Sequence, residues 1–138
     1  MIGILIAAHQ DLGFALCRAA EGIVGPMERV EAVSLRYDEP PAEGKKRIEE
    51  ALRRLDAGQG VLILTDMFGG TPTNMSLPFL KAGRVEVLTG VNLPMLVKAH
   101  AARAELGLAE LAPFLRDAAA RSIALASDLW NARPRPPG

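Results

Sequence analysis

His9 and Asp66 are the residues through which this chain could do chemistry. Each follows an apolar run, residues 2–8 before the histidine and residues 61–65 before the aspartate. Asp66 also opens the glycine-rich stretch Asp66-Met67-Phe68-Gly69-Gly70-Thr71-Pro72-Thr73-Asn74. If both runs are parallel strands of one sheet, their carboxyl ends share the edge where open α/β sheets place their ligands. A carboxylate accepting from one imidazole nitrogen fixes the tautomer and leaves the other nitrogen with an outward lone pair. Gly69 and Gly70 permit left-handed backbone and let N–H groups converge on an anion. Thr71 is placed as N-cap and Pro72 as first helical residue, so the positive end of a helix would face the site. This group suits the handling of a phosphoryl group. Each part also has a plainer reading. A lone histidine after a strand is more often a capping residue, and Gly-Gly-Thr-Pro can be no more than a well-capped turn. Their coincidence at two strand ends favours the chemical reading.

The elements that must position these residues follow from hydrophobic spacing. Leu12, Ala15, Leu16, Ala19, Ala20 and Ile23 recur at three and four residues and predict a first helix, ended by Gly25-Pro26. Residues 30–35 alternate as a half-covered strand, and Pro40-Pro41 marks a loop. Ile48, Ala51, Leu52 and Leu55 supply the apolar face of a second helix whose charged residues lie outside. The run at residues 61–65 is apolar up to its terminal Thr65, as a strand buried on both faces requires. Residues 85–89 predict a fourth strand, and Asn92 is placed to cap the helix after it. Leu106-Gly107 breaks that helix, and residues 109–130 read as mostly helical. Residues 122–129 fit either a helix end or a short edge strand. This alternation predicts an α/β fold: a doubly wound, mainly parallel sheet of order 2-1-3-4 with helices on both faces. Its switch point falls between strands one and three, which carry His9 and Asp66.

Composition narrows the classes. A chain of 138 residues suits one domain, here residues 1–130, with residues 131–138 as a disordered tail. Sixteen basic residues balance sixteen acidic ones, which argues against a nucleic-acid surface. The apolar runs are far shorter than the ~20 residues of a spanning helix. The N-terminus has no basic flank or cleavage site and reads as a first strand. Cys17 stands alone, which excludes an internal disulfide, fits the cytoplasm and suggests a small buried hydrophobe. No His, Cys and carboxylate cluster has metal-ligand spacing, so no metal and no cofactor are expected.

The segment from Ile4 to His9, the Asp66-to-Asn74 stretch and Gly90-Val91-Asn92-Leu93-Pro94-Met95-Leu96 together resemble the mannose-family IIA domain of the phosphoenolpyruvate sugar phosphotransferase system. The resemblance runs from Met1 to about Leu129. It implies phosphorylation of His9 by the carrier HPr, with Asp66 and Thr71 at matching places beside the phosphoryl group. It also implies transfer to a IIB component, here a separate protein, for sugar uptake. Homodimers are implied too, in some members through an exchanged C-terminal strand, for which residues 122–129 are the candidate. The membrane enters only indirectly, through transporter components. One position departs: the family places glycine after the active histidine, and this chain has Gln10. An alternative keeps the chemistry but not the transport, with phosphorylated His9 reporting to a kinase or transcription regulator. A receiver domain phosphorylated on Asp66 would need an acidic pair after strand one, where only Asp11 stands.

Overall fold

Every strand of the sheet is parallel, and their order is β2-β1-β3-β4. The computed structural model describes residues 1–132 and 134. In chain order the elements are β1 (Gly3–His9), α1 (Leu12–Val24), β2 (Val30–Leu35), α2 (Pro41–Leu55), β3 (Val61–Thr65) and α3 (Thr71–Ser76). A 3-10 turn at Leu77–Phe79 follows, then β4 (Val85–Leu88), α4 (Leu93–Ala102), α5 (Leu108–Arg121) and α6 (Ala126–Ala132). The α/β architecture and the 2-1-3-4 order are those expected from the sequence.

Alternation along the two central strands feeds two cores. Ile4, Ile6, Leu62 and Leu64 pack on one face beneath α1, α4 and α5. Leu5, Ala7, Val61 and Ile63 pack on the other beneath α2 and the Met75 side chain of α3. Covering both faces explains why β1 and β3 are continuous apolar runs. On the second face a glycine eases the fit. A Cβ on Gly44 would lie 2.7 Å from Met75 Sδ and 2.9 Å from Leu35 Cδ2, so its absence lets α2 close on α3. Cys17 is half-buried, and that burial pushes its thiol up to about 11, which makes it a poor nucleophile.

In the C-terminal segment, residues 122–125 form a break after α5 and residues 126–129 are helical, within α6. The Ser122 hydroxyl donates back to the Ala119 carbonyl and closes α5, and the N–H groups of Asp128 and Leu129 both donate to Leu125 O. A helix satisfies its backbone locally, whereas an edge strand needs a neighbour to pair with. No strand forms at residues 122–129 in the single chain. The expected tail is corrected at its start, because Asn131 and Ala132 belong to α6. Residues 133 and 135–138 of that tail lie outside the described residues.

Candidate functional site

Register brings the two strand ends together. Ala7 pairs with Thr65, so Asp66 leaves β3 beside the last turn of β1. Its Oδ2 accepts twice from His9, from the backbone N–H at 3.0 Å and from Nδ1 at 2.7 Å. A carboxylate is acceptor-only, so Nδ1 carries the proton and Nε2 holds the lone pair. Asp66 Oδ1 is buried and has no hydrogen-bond partner among the described residues. The negative charge of the carboxylate is therefore directed at His9 instead of being shared with other donors. The two side chains are only 19% and 10% exposed, so a reactant must approach along a defined direction.

The loop after Asp66 closes over the imidazole. Gly70 is the contact point: a Cβ there would stand 3.0 Å from His9 Cε1 and 3.1 Å from Met67 Cγ. Its φ of −87° is open to any residue, so the glycine is required by the ring and not by the backbone. Gly69 differs, with φ +81° and nothing within 4 Å of a Cβ. That left-handed turn completes the chain reversal one residue early and corrects the expected cap. Gly70 is the N-cap, without a capping side chain, and Thr71 is the first helical residue. Thr71 is half-buried, and no hydrogen bond joins it to His9 in the structure described.

Gly70→Ala is expected to lower phosphoryl acceptance about fivefold, because small displacements of a reacting atom are costly. The melting temperature should hardly move. Parallel transfer assays and melting curves check this, and an equal loss of both would point to a folding defect.

Two hydroxyls that carried no role in the sequence reading brace this loop. Thr73 Oγ1 donates to Met67 O at 2.7 Å, so its 2.6 Å contact with Thr65 Oγ1 is accepted from that hydroxyl. Thr65 and Thr73 are both fully buried. The relay ties the end of β3 to the first turn of α3 across the loop. A threonine on each side of a glycine-rich turn was the available signal.

Gln10, the departure from the family pattern, sits at φ +52°. Left-handed backbone costs an L-residue with a side chain roughly 1–2 kcal/mol. The turn from β1 into α1 thus demands the geometry that glycine adopts freely, which fits the glycine that the resemblance implies at this position. Gln10→Gly is expected to stabilise the fold by about 0.5–1 kcal/mol, after allowing for the greater unfolded entropy of glycine. Urea midpoints measure the difference.

Tyr37, just beyond β2, was also not foreseen. Its ring centroid lies 5.6 Å from that of His9 with the planes tilted by 36°. Tyr37, Met67 and Phe68 are 74%, 55% and 78% exposed, the first against His9 and the other two in the loop that follows Asp66. Asn92 caps α4 as expected, accepting from Met95 N–H at 2.9 Å, while its amide reaches Ala119 O. His100 is half-buried in the last turn of α4, away from these groups. Among the described residues no group of three His, Cys, Asp or Glu side chains could hold a metal ion. Nor, among them, is any helix long and apolar enough to cross a membrane.

A parallel sheet with a carboxylate-braced histidine at its switch point is a doubly wound fold with a site suited to a group-transfer protein. Residues 3–115 match the family described as PTS system fructose IIA component, EIIA-man. The chain belongs to this family and is an EIIA phosphotransferase component of the mannose and fructose type. It is 30% identical over 129 residues to the fructose-specific EIIA component of Bacillus subtilis (strain 168), covering 93% of this chain and 88% of that one. It is 34% identical over 103 residues, 74% of this chain, to the mannose-specific EIIAB component of Escherichia coli (strain K12), and spans 32% of that longer protein. Among solved structures, phosphotransferase system component EIIA from Streptococcus agalactiae superimposes with a TM-score of 0.84 at 25% identity, over 93% of this chain and 99% of that one. The PTS IIA protein associated with the fucose utilization operon of Streptococcus pneumoniae gives 0.78 at 29% identity, over 94% and 96% of the two chains.

Proposed function

We propose that His9, in a cytoplasmic protein, accepts a phosphoryl group from phospho-HPr on Nε2 and passes it to a IIB component for sugar uptake. The observation that carries this reading is the 2.7 Å bond from Nδ1 to Asp66 Oδ2, which leaves Nε2 as the open nucleophile. HPr docks on the exposed Tyr37, Met67 and Phe68. The Nε2 lone pair attacks phosphorus in line, a P–N bond forms, and the bond to the donor nitrogen breaks with its electron pair returning to HPr. Nδ1 keeps its proton, so the ring becomes imidazolium-like and Asp66 stabilises the charge that develops. The backbone of residues 69–71 faces the equatorial oxygens, so catalysis is mainly positioning and electrostatics.

The reading includes a homodimer. A cleft of about 400 Å³ opens along β4, lined in part by Phe68, Leu77, Val87, Leu88 and Pro113. Ile123, Leu125 and Leu129 are exposed on the C-terminal segment and could fill such a cleft in a second copy. Sedimentation equilibrium reads the oligomeric state directly.

The test of the central step is incubation with phosphoenolpyruvate, enzyme I and HPr, then acid and base treatment of the labelled chain. Acid-labile, base-stable label is expected. Acid-stable incorporation would contradict a phosphohistidine.

A further inference from the structure

We infer that Tyr37 is a positioning residue for His9, its ring walling the imidazole so that Nε2 stays aimed and the phosphohistidine is kept from water. The inference rests on the proposal that His9 carries the phosphoryl group, and it deepens that proposal. His9 is bounded on three sides by different groups. Asp66 holds Nδ1, Gly70 lies against Cε1, and Tyr37 adds a tilted ring contact at 5.6 Å. One hydrogen bond alone leaves an imidazole free to rock about its bond to Cβ, and an aromatic neighbour at this separation restricts that motion. The same separation lies within the ~6 Å over which an aromatic face favours a cation, so the imidazolium-like ring gains from it.

The placement of Tyr37 is built and not accidental. The side chain is largely exposed, so burial does not hold it where it is. Its flanking residues are tied down instead. The Arg36 N–H donates to Glu39 Oε1 at 3.1 Å, and Arg36 Nε to Asp38 Oδ1 at 3.3 Å. Arg47 of α2 donates to the same Glu39 carboxylate and, at 2.8 Å, to the Ser34 carbonyl. Its hydrogen bond is the main cause that holds the Glu39 carboxyl below the usual range, so the clamp is charged at neutral pH. The turn is thereby fixed at β2 and at α2, and Tyr37 projects from it over His9.

The step that Tyr37 slows is hydrolysis. Water attacks phosphorus, the P–Nε2 bond breaks, and its electron pair returns to Nε2. The water hydrogens stay on the released dihydrogen phosphate, and His9 returns to the neutral ring protonated on Nδ1. A wall beside the ring removes one direction of approach for water, whereas a docked protein partner brings its acceptor through the open side.

The test uses the full chain phosphorylated in two ways, by phospho-HPr and by phosphoramidate, a small donor that phosphorylates imidazoles without a protein partner. After the donor is removed, loss of the His9 phosphoryl group is followed by NMR at neutral pH. Tyr37→Ala is expected to shorten its lifetime about threefold or more, while Tyr37→Phe keeps the wild-type value, since the ring and not the hydroxyl acts. The His9 ring protons should also shift downfield in Tyr37→Ala and not in Tyr37→Phe. Equal lifetimes in wild type and Tyr37→Ala would overturn the inference. So would a Tyr37→Phe lifetime as short as that of alanine, or failure of both donors to modify His9. Modification by phosphoramidate without modification by phospho-HPr would instead sink the HPr reading and leave the role of Tyr37 to be decided by the lifetimes.

Discussion

His9→Ala is expected to abolish phosphoryl acceptance from phospho-HPr, a loss of roughly a thousandfold or more, as when an enzyme loses its nucleophile. Among the described residues, no other nucleophile at the mouth of the site is placed to replace it. Asp66 Oδ2 is engaged and Oδ1 is buried. The fold should survive the substitution. The backbone N–H of residue 9 still donates to Asp66 Oδ2, and the side chain removed lies at a strand end outside both cores. Circular dichroism and melting should therefore match the wild type. Label retained by His9→Ala would place the acceptor elsewhere.

Asp66→Ala is expected to slow transfer more than about tenfold, as loss of an interaction used mainly in the transition state should. The alanine removes one acceptor and leaves two donors without partners, the His9 N–H and Nδ1–H. The imidazole can then exchange tautomers, and the charge developing on the ring meets no carboxylate. Asp66→Asn separates the two effects, since an amide oxygen can still accept from His9 but carries no charge. Its rate is expected to fall between those of wild type and Asp66→Ala. Transfer assays with circular dichroism decide the matter. An Asp66→Ala chain that unfolds would make the carboxylate structural.

The scaffold of the site was legible because burial on both sheet faces leaves a simple record. Residues 2–8 and 61–64 are apolar without interruption, and such strands must lie at the centre of a parallel sheet. Once they are central and adjacent, the residues that follow them meet at one edge, which is why the sequence alone pairs His9 with Asp66. Asn92 was legible for the same local reason, since capping depends on a neighbour three residues on.

What was not legible depends on backbone turns and on contacts between distant segments. Tyr37 reads as an ordinary loop residue, and only the clamp between Arg36, Glu39 and Arg47 aims it at His9. The strain at Gln10 is a φ value that no residue type announces, although the family preference for glycine pointed to the position. Thr71 looked like the cap because threonine is a good one, yet the turn at Gly69 moved the helix start so that Gly70 took the place. Residues 122–129 could not be assigned from pattern alone, because a strand there depends on a neighbour that a single sequence does not show.

The central claim is that phosphorus bonds to Nε2 of His9 while Nδ1 remains protonated against Asp66. Phosphorus–proton correlation NMR of the phosphorylated wild-type chain tests it most directly. The account predicts coupling from one phosphorus to the His9 ring in the pattern of an Nε2 adduct. A phosphorus bonded to Nδ1 of His9, to His100 or to a carboxylate would contradict it.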